Sequence, residues 1–231
     1  MPALRPLFLG LALLLTAGAA GLVAWSWLRA SDGGQGALER LEVHSDVPDF
    51  AFVERSGRRI SRADLMGMVW IANFIYTRCT ETCPLQSARL AQLQAEFAGE
   101  PDLRLVSVTV DPDHDTPAVL SGYAERYRAD PVRWLFLTGD KRAIYQLARE
   151  GFRLGVVDPD DHAQEERRLG WLTPTPALAT HGSKGLIMHS PRLVLVDRQA
   201  RIRAYHRPDD KPSLDRLREN LKILLRQSRG G

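Results

Sequence analysis

The run MVWIANFIY, residues 68–76, does most to decide what this chain can become. It is apolar almost throughout, with β-branched and aromatic members. Such a run fits a strand buried on both faces, which needs helices over both sides of its sheet. Three residues beyond it comes Cys79, then Cys83, and the chain has no other cysteine. Pro84 follows directly and fits a first helical turn; Leu90, Leu93 and Phe97 then recur at helical spacing. The pair is therefore expected at a strand-to-helix junction. Unpaired N–H groups and the positive end of the helix dipole favour thiolate there, the form that attacks disulfides or binds soft metals. A plain structural disulfide is the other reading, but the ring it would close is too short to constrain much of the unfolded chain.

The segments on either side alternate between strand and helix. DFAFVERSGRRIS (49–61) alternates about a Ser-Gly turn and predicts a hairpin, and Ser61 with Asp64 makes a capping-box start for a short helix. LRLVSVTV (103–110) predicts a second strand, and Thr116-Pro117 opens a helix to about Ala129. RWLFLTG (133–139) predicts a third strand, with Asp140 capping the helix that follows. A polar insertion occupies 158–185. PRLVLVDRQARIRAYH (191–206) predicts a closing hairpin, and the last helix carries Leu214, Leu217, Leu221 and Leu224 on one stripe. This order is that of an α/β open sheet with flanking helices.

The net charge of +3 and the lack of a basic stripe with interleaved aromatics exclude a nucleic-acid partner. The N-terminus is of another kind. Residues 7–28, LFLGLALLLTAGAAGLVAWSWL, carry no charge. At about 1.5 Å per residue they reach across a hydrocarbon core of about 30 Å. Trp25 and Trp27 sit at one end, where interfacial aromatics belong. A cleaved signal peptide with a small-residue site near Ala17-Gly18-Ala19 is the rival, but the apolar run continues about two turns past that site. The expected organisation is a single-pass membrane anchor over 1–30, a flexible tether over 31–45 and the folded domain over 46–231. The short stub before the span puts the N-terminus in the cytoplasm and the domain on the exported side. No Arg- and Ser-rich presequence precedes the span, which favours a bacterial plasma membrane.

Three blocks taken together, YTRCTETCP (76–84), VTVDPDHDTP (108–117) and MHSPRLVLVD (188–197), resemble the Sco/SenC family, copper-delivery factors for cytochrome oxidase assembly in the thioredoxin-like superfamily. The resemblance covers roughly Asp46 to Gln227. It implies a thioredoxin-like sheet, copper as the bound metal, and Cys79, Cys83 and His189 as its ligands. Two thiolates and an imidazole suit soft Cu(I), and the imidazole also suits Cu(II). Structural zinc usually takes four protein ligands, and three are in view. The family usually has an acidic residue before the ligand histidine; here it is Met188, whose thioether is itself a soft donor. Asp111 and Asp115 match the family's Asp-rich loop, which implies places near the metal, although Asp also serves turns and caps.

The implied function is a metallochaperone serving the copper-receiving subunit of a respiratory oxidase, with no substrate turned over. The alternative is a thiol–disulfide oxidoreductase in which Cys79 and Cys83 are the redox pair, supplied by a thiol reductant. Pro191 keeps that alternative open, because it falls where the superfamily carries a cis proline beside the docking site for thiol partners. A peroxiredoxin-like peroxidase lacks its Pro-x-x-x-Thr-x-x-Cys context. His114, His181 and His206 read as exposed, and His162 as part of a solvated loop. If residues 7–28 anchor the protein, mass spectrometry of the mature chain from membranes will recover the segment intact; a mature start near Ala20 would overturn the anchor.

Overall fold

The computed structural model describes residues 41–157, 187–188 and 191–227. The expected anchor, most of the tether, the insertion, His162, His181, His189 and the Ser190-Pro191 bond lie outside the described residues. Among those described, no helix is long and apolar enough to cross a membrane.

The chain enters the sheet through β1 (Ser45–Asp46) and forms a hairpin from β2 (Ala51–Glu54) and β3 (Arg59–Ser61). Gly57 sits in that turn at φ +85°, a conformation that favours glycine. A single 3-10 turn, Arg62–Leu65, follows, with the Asp64 carboxylate accepting from the Ser61 backbone N–H at 2.8 Å. Next come β4 (Val69–Ile75), α1 (Thr82–Glu96), β5 (Leu103–Thr109), α2 (Pro117–Arg126) and β6 (Trp134–Thr138). Then α3 (Lys141–Gln146) runs into a π turn over Leu147–Gly151. The short β7 (Val156–Val157) and β8 (Ile187–Met188) pair with each other, antiparallel. Finally β9 (Leu193–Val196), β10 (Arg201–His206) and α4 (Lys211–Arg226) close the fold.

The main sheet has the order β1-β10-β9-β4-β5-β6-β2-β3. β4, β5 and β6 are parallel at its centre, and β9 and β2 join them antiparallel. Every residue of β4 is buried, as a strand covered on both faces requires. Successive side chains alternate between the two layers. Trp70 and Phe74 point to one face and meet the Phe152 ring at 6.0 and 5.4 Å. Asn73 points to the other and takes a hydrogen bond into α1, donating to Gln86 Oε1 at 3.3 Å. On that second face Ser87 of α1 bonds Tyr123 of α2 at 2.9 Å. Arg218 of α4 reaches Glu96 of α1 at 2.7 Å. The Leu214, Leu217, Leu221 and Leu224 stripe is buried, as its spacing predicts.

One histidine departs from the reading above. His206 ends β10 only 3% exposed. The inward-facing strand position and the start of α4 cover it, a tertiary effect that local sequence does not announce. Its Nδ1–H donates to the Ser213 carbonyl at 2.9 Å. Burial holds its pKa down to about 4, with the nearby Arg216 charge adding to the effect. His206 is therefore neutral when folded and titrates near 6.5 when unfolded. Its contribution is fully present above pH 6.5 and drains away as pH falls toward 4. The expected loss is about 3 kcal/mol by pH 4, at about 1.4 kcal/mol per pKa unit. Denaturant titrations between pH 7 and 4 will show this slope, and H206N will flatten it.

Candidate metal and thiol centre

Because β4 and β5 are parallel and in register to Ile75 opposite Thr109, their outgoing loops leave the sheet side by side. The first carries Thr77, Arg78 and Cys79; the second carries Asp111, His114 and Asp115. β9 runs the other way, with Val194 opposite Ala72, so the chain entering β9 arrives at this same sheet end. Met188 lies in β8, opposite Val156. Pro191 is described, and His189 lies outside the described residues.

The thiols sit where the sequence puts them. Cys79 lies in the turn after β4, its N–H bonded to the Tyr76 carbonyl at 3.1 Å. Cys83 lies in the first turn of α1 and is fully buried, whereas Cys79 is part-exposed. Both are free thiols. The Cys83 backbone N–H donates to Cys79 Sγ at 3.4 Å. The two sulfurs behave unequally. A hydrogen bond from the Cys83 thiol, and backbone N–H groups of Cys83 and Glu81, lower the Cys79 thiol to about 4 against its partial burial. Donating that bond, together with burial and the Cys79 charge, raises Cys83 far above an ordinary thiol. The result is a pair in which Cys79 favours thiolate and Cys83 keeps its proton. A soft cation taken between the sulfurs would displace that proton.

Asp115 is buried completely and is saturated with donors. Its carboxylate accepts from the Thr77 backbone N–H at 3.0 Å, the Thr77 hydroxyl at 2.5 Å and the Thr109 hydroxyl at 2.5 Å. His114 Nδ1 lies 2.9 Å away. Asp111, also buried, pairs with Arg78 at 2.5 Å. The two aspartates thus act on the residues just before Cys79. They fix the cysteine loop. His114 is exposed, as expected. Asp111, His114 and Asp115 lie close enough to hold a cation, but Arg78 and the threonine hydroxyls already occupy the carboxylates.

A second support lies beneath Cys83. Gln86, one turn on, is fully buried and takes the Asn73 amide; Ser107 donates to Asn73 at 2.7 Å, and Trp134 Nε1 to Ser107 at 2.9 Å. This chain ties the cysteine helix to the middle of the sheet. Sequence reasoning missed it, along with the roles of Arg78 and Thr109. Asn73, the lone amide in an apolar run, was the available signal.

A mixed sheet with helices on both faces and a thiol pair where a central strand meets its helix defines a thioredoxin-like thiol domain. The chain belongs to the SCO1/SenC family, whose model matches residues 40–225. A SCO1 protein homolog of Bacillus subtilis (strain 168) is 34% identical over 134 residues, covering 57% of this chain and 68% of the relative. The chain spans 62% of the mitochondrial SCO2 homolog of Mus musculus, at 28% identity over 66% of its own length. Among solved structures it resembles BsSco, described with a disulfide switch and as a member of the Sco family of cytochrome c oxidase assembly proteins. That match has TM-score 0.62 and 24% identity over 81% of this chain and 98% of the other. It also resembles Arabidopsis thaliana ScoI with copper bound, at TM-score 0.61 and 21% identity over 80% of this chain and all of the other. At these identities the two structures speak for the fold.

Asp115 gives the site its stability test. D115A leaves the buried Thr109 hydroxyl and the two part-buried Thr77 donors without their acceptor, at roughly 1–3 kcal/mol each when no water replaces it. Chemical denaturation is expected to show a loss of about 3 kcal/mol or more. D113A, at a 78% exposed side chain in the same loop, should change stability by no more than about 0.5 kcal/mol.

Proposed function

We propose that the protein is a membrane-anchored copper metallochaperone that hands copper to an exported site of a respiratory cytochrome oxidase. Copper here is cargo, held by Cys79, Cys83 and His189. The observation that carries the reading is the pair of free thiols at the start of α1, where the Cys83 backbone N–H donates to Cys79 Sγ. Thiolate sulfur is the donor that soft Cu(I) prefers, and family membership supports the same metal. The approach of the β9 entry to this sheet end supports the third ligand, since His189 precedes β9 by four residues. Asp111 and Asp115 then serve the metal indirectly, by holding the loop before Cys79. In this reading residues 7–28 anchor the chain in a bacterial plasma membrane, N-terminus inside, domain on the exported side. The receiving partner is the copper-binding subunit of the oxidase.

The unequal thiols favour a second reading as well. Cys79, part-exposed and thiolate, has the character of an attacking sulfur, and buried Cys83 that of a resolving one. Cys79 would attack a partner disulfide, and Cys83 would then displace the partner dithiol. The pair itself ends as a disulfide that an external thiol must reduce. The two readings part at His189, which copper retention needs and thiol exchange does not.

Cu(I) titration of the full chain in detergent tests them together. C79S and C83S are each expected to abolish tight binding. H189A should weaken retention at least tenfold while leaving the thiol–disulfide couple working. If cells carrying H189A assembled the oxidase fully while either cysteine variant failed, the metallochaperone reading would fall and the oxidoreductase would replace it.

A further inference from the structure

A cavity of about 480 Å³ opens beside the start of α4, lined by neither cysteine. We propose that it is a binding site for a phosphate-bearing anion. Four guanidinium groups, Arg153, Arg192, Arg207 and Arg216, line it, against one carboxylate, Asp210. Asp209, outside the cavity, holds Arg207 at 2.9 Å. Asp210 lies 3.9 Å from Arg216 and is already engaged in capping α4, accepting from the Ser213 N–H at 2.9 Å. Among the described residues neither Arg153 nor Arg192 forms a salt bridge, although the Arg192 charge acts on Asp209. Among the described residues, four guanidinium charges against two carboxylates leave an excess of two positive charges around one concavity.

Two further observations point inward. Tyr205 lines the cavity, and its hydroxyl is buried with no hydrogen-bond partner among the described residues. A buried hydroxyl is normally paired, so an unpaired one on a residue in the cavity wall points to an acceptor supplied from there. Arg153 holds a left-handed backbone, φ +51°, which is costly for a side chain of its type and is the kind of strain that collects at binding sites. The final helix also directs the positive end of its dipole toward this region.

The chemistry selects the ligand class. Guanidinium forks match phosphate oxygens two at a time, and a phosphate monoester brings the two negative charges that the excess calls for. The space exceeds what bare phosphate fills, so an organic group can accompany it. The phosphate can arrive on a soluble monoester or on a lipid headgroup, and the recognition is the same for both.

The test uses the full chain in detergent at constant ionic strength, followed by thermal shift and by ³¹P line broadening. The probes are glycerol 3-phosphate, dihexanoyl phosphatidate and, as a neutral-headgroup control, dihexanoyl phosphatidylcholine. Saturable binding of either phosphate probe, with the control inert, is the expected result. Saturation by glycerol 3-phosphate identifies a soluble ligand, and saturation by phosphatidate alone a lipid one. R153Q with R192Q should weaken binding at least tenfold, and Y205F roughly threefold. Y205F changes one buried atom, so it keeps the test valid if the double variant fails to fold. If neither probe bound more than chloride, or if both variants bound as the wild type does, the site would be refuted.

Discussion

A single buried carboxylate decides whether this domain can present its thiols at all. Asp115 receives the Thr77 N–H and hydroxyl from the loop after β4 and the Thr109 hydroxyl from the end of β5. A loop emerging from a buried parallel strand has several backbone groups with nothing to bond, and each left buried and unpaired is costly. Asp115 meets those needs from the neighbouring loop, and Arg78 bonded to Asp111 repeats the tie one step nearer Cys79. The position of the first sulfur is therefore set by strand pairing in the middle of the sheet, through these carboxylates.

The second sulfur is positioned from below. Asn73, Gln86, Ser107 and Trp134 form a buried polar chain between α1 and the sheet. Apolar packing alone lets a helix slide or rotate over a sheet at little cost, whereas a hydrogen-bonded chain holds one register. Cys83 rides on that register, one turn before Gln86. The two thiols are thus held by separate devices, and their unequal protonation follows from the hydrogen bond between them together with the deeper burial of Cys83.

Much of this was legible in the residues. The run 68–76 foretold β4, Pro84 and the Leu90–Leu93 spacing foretold α1, and the leucine stripe foretold the buried face of α4, because in each case periodicity and burial agree. Cys79 and Cys83 were legible for a different reason, being the chain's only thiols at a predictable junction. Asp111 and Asp115 were visible as candidates, but their work was not. A sequence shows that an Asp is present and not which donors surround it after the strands pair. His206 was read as exposed for the same kind of reason, since its cover comes from α4, beginning five residues further on. Arg203 in the same strand is likewise buried, at a break in the β10 register, and held by Asp197 at 2.8 Å.

The outer strands of the sheet have a bearing on how copies of this domain meet one another. Its two edges are β1, two residues long, and β3, three residues long. Each offers few open backbone positions for a neighbour to pair with, and β3 begins beside Arg58 and Arg59, whose side chains are exposed. Short, charged margins discourage edge-to-edge growth between identical sheets. The long hydrophobic strands that would template such growth, β4, β5 and β6, are interior and already paired on both sides. The architecture thereby offers a neighbouring copy little open backbone from which a shared sheet could grow.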